Sequence, residues 1–189
     1  TNARVNGYGS VGGLVGRNFG NIDTVSVAVN ATNGISSVSG SVGGLVGSNN
    51  GGSYFTGTGT TYQQIFTGSI SNSYVTGGTV SSGNNDVGGL VGYNNQGNIF
   101  FSGVTSTAVS GSSNVGGLVG NNQGSSFVGS AGSLRGNITN SYVSGGTVTS
   151  TGSSLSNSIV SHSGHFVHKL CHHSGAVVGR AIDRCQLPT

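Results

Sequence analysis

The chain has 189 residues, 38 of them Gly, with one Pro and neither Met nor Trp. Charged residues make up 5% of it, against about 25% in an ordinary soluble domain, so its polar surface has to come from Ser, Thr and Asn. The formal net charge is +3, but Arg4, Arg17 and Arg135 are scattered and form no basic stripe of the kind that binds nucleic acid, and no apolar run is long enough to span a membrane.

Disorder is the first alternative for so uncharged and Gly-rich a chain, yet disordered segments are poor in β-branched residues. Here Val, Ile, Thr, Tyr and Phe recur at regular places, which favours strands. No initiating Met and no apolar signal core precede the first repeat, so Thr1 is expected to be a processed terminus or a fragment boundary.

The first feature in chain order is Val-Gly-Gly-Leu-Val-Gly at 11–16, repeated at 42–47, 87–92 and 115–120. A degraded copy, Gly175-Ala176-Val177-Val178-Gly179, follows near the end. Self-similarity at such intervals marks a repeat architecture, in which each unit buries its apolar face against its neighbours. Alternation along the hexapeptide places Leu90 with Gly88 and Gly92 on one face, and Val87, Gly89 and Val91 on the other. Either face is then eligible as the core, and the motif reads as a strand covered on both sides, its glycines leaving room for close neighbours.

Each hexapeptide is followed by an Asn-rich turn: Arg17-Asn18-Phe19-Gly20, Ser48-Asn49-Asn50-Gly51, Tyr93-Asn94-Asn95-Gln96-Gly97 and Asn121-Asn122-Gln123-Gly124. Next comes a period-two segment, clearest at 68–80 and 136–148, where Ile and Tyr-Val alternate with Ser, Thr and Asn and end on Gly-Gly. Such alternation predicts strands with one buried face, and the Asn-Gly and Gly-Gly pairs predict positive-φ corners. Stacked units place equivalent residues one interstrand spacing apart, about 4.8 Å. Leu14, Leu45, Leu90 and Leu118 then form one ladder, Tyr74 and Tyr142 part of another, and asparagines close the corners. The expected fold is an all-β β-solenoid (β-helix) over residues 1–160, with 52–67 inserted as a projecting loop or hairpin and 161–189 forming an atypical cap or tail.

The combination Gly-Gly-Leu-Val-Gly, Asn-x-Gly, Ile-x-Asn-Ser-Tyr-Val-x-Gly over roughly residues 10–150 resembles the GLUG repeat of bacterial secreted and surface proteins. These include adhesin-like proteins and non-catalytic regions of IgA-cleaving peptidases. The resemblance implies an extracellular, β-solenoid-like structural module used in surface presentation or adhesion. It transfers no catalytic residue. The segments 52–67 and 161–189 depart from the pattern.

Catalytic chemistry has little to stand on. A carboxylate pair for glycoside cleavage needs two acids across a cleft, and Asp23, Asp86 and Asp183 are far apart in sequence. Asp23 near Arg17 is a thin candidate for polysaccharide cleavage. A Ser-His-Asp set from His172 or His173, Ser174 and Asp183 carries little weight where serines are so abundant. The tail gathers His162, His165, His168, Cys171, His172 and His173, residue types that ligate zinc, but a spacing of three alternates strand faces. A Cys171–Cys185 disulfide is the simpler account, closing a loop for which the chain-entropy gain is about 3 kcal/mol. A tail from a shifted reading frame is a third account. Asn30-Ala31-Thr32 and Asn137-Ile138-Thr139 match the glycosylation acceptor pattern.

No catalytic, cofactor-binding or metal residue is therefore assigned. The expected function is that of an extracellular structural protein, the subunit or stalk of a surface fibre or adhesin. Its expected partner is itself, stacked head to tail into filaments, because uncapped solenoid ends expose strand edges. A cell-surface glycan is the other candidate partner. The competing functions are a glycan- or surface-binding adhesion module and a non-catalytic region of a larger secreted peptidase.

Overall fold

The computed structural model describes residues 2–54, 63–125 and 134–152. Among these, every regular element is a β-strand, and the chain winds through them in successive coils. The first coil holds β1 (Asn2–Ala3), β2 (Val5–Gly7), β3 (Val11–Gly12), β4 (Val15–Asn18) and β5 (Asn21–Asp23). The second holds β6 (Ser26–Val29), β7 (Ile35–Ser37), β8 (Val42–Gly43), β9 (Val46–Tyr54), β10 (Gln63–Thr67) and β11 (Ser69–Ser71). The third holds β12 (Tyr74–Thr76), β13 (Thr79–Ser82), β14 (Asn85–Gly88), β15 (Val91–Asn95) and β16 (Asn98–Phe100). The fourth holds β17 (Gly103–Thr105), β18 (Ala108–Gly111), β19 (Ser113–Gly116), β20 (Val119–Ser125), β21 (Leu134–Arg135) and β22 (Asn137–Thr139). A fifth begins with β23 (Tyr142–Ser144) and β24 (Thr147–Ser150).

Corresponding strands of successive coils pair in parallel, forming five sheets that run along the axis. Face A stacks β1, β6, β12, β17 and β23, and face B stacks β2, β7, β13, β18 and β24. Face C stacks β3, β8, β14 and β19, face D stacks β4, β9, β15 and β20, and face E stacks β5, β11, β16 and β22. The expected β-solenoid is the fold.

Its core is built from columns of one residue type. Val27, Val75, Val104 and Val143 stand in register on face A, and Ile22, Ile70, Ile99 and Ile138 on face E. Faces C and D contribute Val42, Val87 and Val115, and Val46, Val91 and Val119, all at most 1% exposed. Repeating one side chain at one level lets β-branched groups of neighbouring coils nest in the same rotamer, so one solved packing problem serves every coil.

The hexapeptide departs from the expected continuous strand. Val87 and Gly88 end β14, Gly89 and Leu90 form a bend, and Val91 begins β15. The bend breaks the period-two alternation, so Val87, Leu90 and Val91 are all fully buried, and the two-faced strand is corrected to a folded corner. Its glycines have steric reasons. A Cβ on Gly88 would lie 1.9 Å from Val91 O, and one on Gly89 would lie 2.1 Å from Gly117 O and 2.9 Å from Val104 Cγ1 of the opposite wall. The carbonyls of Leu45, Leu90 and Leu118 each also hold the corner of the preceding coil: Leu90 and Val91 N–H both donate to Leu118 O, at 2.9 and 3.0 Å. The leucine ladder stands as expected, with Leu45, Leu90 and Leu118 fully buried and Leu14, in the first coil, 47% exposed.

The asparagine ladder is also present. Asn18 Nδ2 donates to Asn49 Oδ1, Asn49 Nδ2 to Asn94 Oδ1, and Asn94 Nδ2 to Asn122 Oδ1, each at 2.8 Å. The second hydrogens reach corner carbonyls, as in Asn49 Nδ2 to Gly68 O (3.2 Å) and Asn94 Nδ2 to Gly97 O (2.9 Å).

At this D–E corner the insertion within 52–67 appears as an antiparallel hairpin, β9 against β10, whose tip lies outside the described residues. A second hairpin, β20 against β21, leaves the corresponding point of the fourth coil. Sequence reading did not find it, although the distance from Asn122 to Ile138, against that from Asn94 to Ile99, was the available signal. In the third coil the single residue Gln96 stands between Asn95 and Gly97 where the other two coils insert their hairpins.

Candidate functional site

The corner from face E to face A gathers the exposed aromatic groups Tyr74, Phe101 and Tyr142, while exposed Tyr8 and Phe19 stand elsewhere in the first coil. Its frame is a column of buried serines. Ser73 Oγ donates to Ser71 O (2.6 Å) and accepts from Val25 N (3.2 Å), and Ser102 Oγ donates to Phe100 O (3.0 Å) and accepts from Ser73 N (3.1 Å). Ser141 Oγ donates to Thr139 O (2.9 Å) and accepts from Ser102 N (3.2 Å). Every hydroxyl thus ties its own turn and the coil before it, and these three buried hydroxyls are all paired.

The residue before each serine takes a left-handed conformation: Asn72 at φ 47°, Phe101 at 50° and Asn140 at 49°, with Thr24 at 57° in the first coil. Asn tolerates this region, whereas a bulky or β-branched residue there is strained. Phe101 is the bulky case, 52% exposed, with its ring edge-on to Phe100 at a centroid distance of 6.1 Å.

Two residues further on, Tyr74, Gly103 and Tyr142 share one register position on face A. The expected tyrosine ladder is therefore present, with ring centroids 6.3 Å apart and planes inclined at 41°. Gly103 makes it possible, since a Cβ there would lie 2.6 Å from Tyr142 Cε1, so the ring of Tyr142 rests on bare backbone. Beyond the tyrosines the outward column continues as Thr76, Thr105 and Ser144.

Asp23 closes the corner at the first coil. Its Oδ1 accepts from Ser71 Oγ in a short hydrogen bond and from Asn72 Nδ2 at 2.9 Å, and its Oδ2 from Thr24 Oγ1 at 3.0 Å. These bonds, that from Ser71 foremost, hold the carboxyl below its ordinary range. Arg17 lies on face D and Asp23 on face E, and no ion pair joins them, so the structure does not bring the thin polysaccharide-cleaving pair together. Asp86 instead accepts from Asn114 Nδ2 (2.8 Å) and Asn121 Nδ2 (3.1 Å) of the next coil. Its charge adds to desolvation in raising the Tyr93 phenol above its usual value, desolvation being the larger cause.

Of the acceptor-pattern asparagines, Asn30 turns its Oδ1 to the N–H groups of Thr32 (2.9 Å) and Asn33 (3.0 Å), and Asn137 is exposed on β22. Asp183, the tail histidines and Cys171 and Cys185 lie outside the described residues. Among the described residues no cluster of three or more His, Cys, Asp or Glu side chains is placed to hold a metal ion.

No protein-family model matches this chain, and no curated protein or solved structure matches it either. What the corner offers chemically is read from its own groups: exposed aromatic faces, free tyrosine hydroxyls, amides and hydroxyls, and a single carboxylate at one end.

Proposed function

We propose that this protein is an extracellular structural module of the GLUG-repeat type, a β-solenoid segment of a surface fibre or adhesin stalk. One observation carries the reading: the valine, isoleucine, leucine and asparagine columns run unbroken from coil to coil. A stack of this kind extends by adding an equivalent coil, with no change in any contact.

The described coils span four interstrand steps, about 19 Å, which is short for a stalk. Head-to-tail stacking of chains, or of further repeats, supplies the length. Leu14 is 47% exposed while its three counterparts are fully covered, and Asn18 Oδ1 meets no asparagine of a preceding coil. Another coil laid on that end would cover both. The low charge fits the same reading, since close stacking of like surfaces meets little repulsion.

Labelling of intact producing cells with antibody to the full chain, followed by electron microscopy, tests location and form together. The reading expects label along thin surface fibres; label confined to the cell interior would refute it. An adhesive role for such a module is favoured by the aromatic column at the E–A corner.

A further inference from the structure

We infer that the E–A corner is a binding site for a neutral polysaccharide lying along the solenoid axis. The left-handed positions Thr24, Asn72, Phe101 and Asn140 mark one line over four coils, about 14 Å long. Beside that line stand the rings of Tyr74 and Tyr142, 36% and 37% exposed, and Phe101 projects from it at 52%. A sugar ring has C–H faces and a hydroxyl rim. Aromatic faces match the first, and a border of neutral donors and acceptors matches the second. The border is present as Asn72, Asn140, Thr76, Thr105 and Ser144, and Asp23 adds a carboxylate acceptor whose existing hydrogen bonds keep it ionised.

Charge sets the class of ligand. Among the described residues the line carries no Lys or Arg, so they offer an acidic polysaccharide no counter-ion there, while a neutral chain needs none. Rigidity supports the same assignment. The serine column fixes the backbone beneath the rings, so little ordering remains to be done on binding.

Phe101 is both strained and exposed. Of its equivalents, Asn72 and Asn140 accept a left-handed backbone and Thr24 is held by its hydroxyl bond to Asp23, while an exposed Phe there gains little burial to offset the strain. A strained, exposed aromatic at the centre of an aromatic line is accounted for by a ligand that covers it. The site stands apart from the filament reading, because the corner lies on the side of the stack and not on its ends.

Affinity electrophoresis of the full chain through gels containing laminarin, mannan, hydroxyethylcellulose or xylan, with heparin as the acidic comparator, tests the site. Retardation by at least one neutral polysaccharide is expected, with none by heparin. The Tyr74→Ala/Tyr142→Ala chain should lose affinity by about tenfold or more. Phe101→Asn should weaken retardation while raising the melting midpoint by about 2–4 °C, which separates loss of the site from loss of the fold. Any one of three results overturns the inference: no retardation by any of the neutral polymers, retardation by heparin alone, or unchanged retardation in both variants. A change in self-association in place of retardation would make the corner a contact between copies, and would overturn it too.

Discussion

Asn49 shows how much one side chain carries in this fold. It is fully buried, accepts from Asn18 Nδ2, and donates to Asn94 Oδ1 and Gly68 O. Replacement by Ala takes the donor from Asn94 Oδ1 and the acceptor from one Asn18 hydrogen, while Gly68 O keeps only the Asn98 N–H, and Asn49→Ala should cost about 2 kcal/mol in chemical denaturation. Asp23 acts at the surface and through pH. Its carboxyl is held below the ordinary value of 3.8 by hydrogen bonds from Ser71, Asn72 and Thr24. A carboxyl depressed on folding contributes stability that is present above its unfolded value and lost as pH falls through its folded value. The melting midpoint of the native chain should therefore fall faster below about pH 4 than that of Asp23→Asn, and parallel curves would show that those hydrogen bonds contribute nothing. At this scale the sequence was partly legible. Asn18, Asn49, Asn94 and Asn122 announce their ladder because each follows a hexapeptide at the same distance. Ser73, Ser102 and Ser141 carry the E–A corner equally well, but serine is too common in this chain for the column to stand out.

The hexapeptide is the element that sets the shape of the coil. Alternation along the strand gave two apolar faces, and the bend at Gly89 and Leu90 gives a single interior instead. Periodicity reports which residues are apolar, but not where the backbone turns; that depends on contacts with residues as distant as Val104 and Gly117. The glycines make the difference measurable. Gly89→Ala forces a methyl group against a carbonyl oxygen and should cost about 3 kcal/mol. Gly83→Ala, with nothing within 4 Å of the added group, should be neutral or stabilising by about 0.5 kcal/mol. The hairpins are separable elements. Because Gln96 alone fills the D–E corner of the third coil, replacing residues 51–67 by one Gln should leave the circular dichroism spectrum of the solenoid in place. Loss of the β signal would show the hairpin to be part of the core. The first hairpin was visible as a long interval between hexapeptides; the second falls after the last full hexapeptide, where no interval measures it.

Over the whole molecule, stability is distributed along an axis and not gathered at a centre. Each coil meets only its neighbours, so the outermost described coils are the least covered layers. The first coil displays this directly, with Leu14 and Val15 less covered than their counterparts in every later coil. Most contacts join residues at least 12 positions apart, a topology that folds slowly because long loops must close before the ladders form. The solenoid was legible from repetition alone, since four hexapeptides at related intervals admit few other arrangements. The five-sided cross-section was not, because the number of corners depends on turns such as Thr24 and Phe101 that carry no Gly or Asn signal.

Cryo-electron microscopy of the concentrated 189-residue chain tests most directly whether these coils are made to stack. Unbranched filaments with an axial repeat near 4.8 Å, in which the first coil of one chain continues the ladders of the next, are the expected result. Isolated particles at every concentration, with Leu14 still open to solvent, would contradict it.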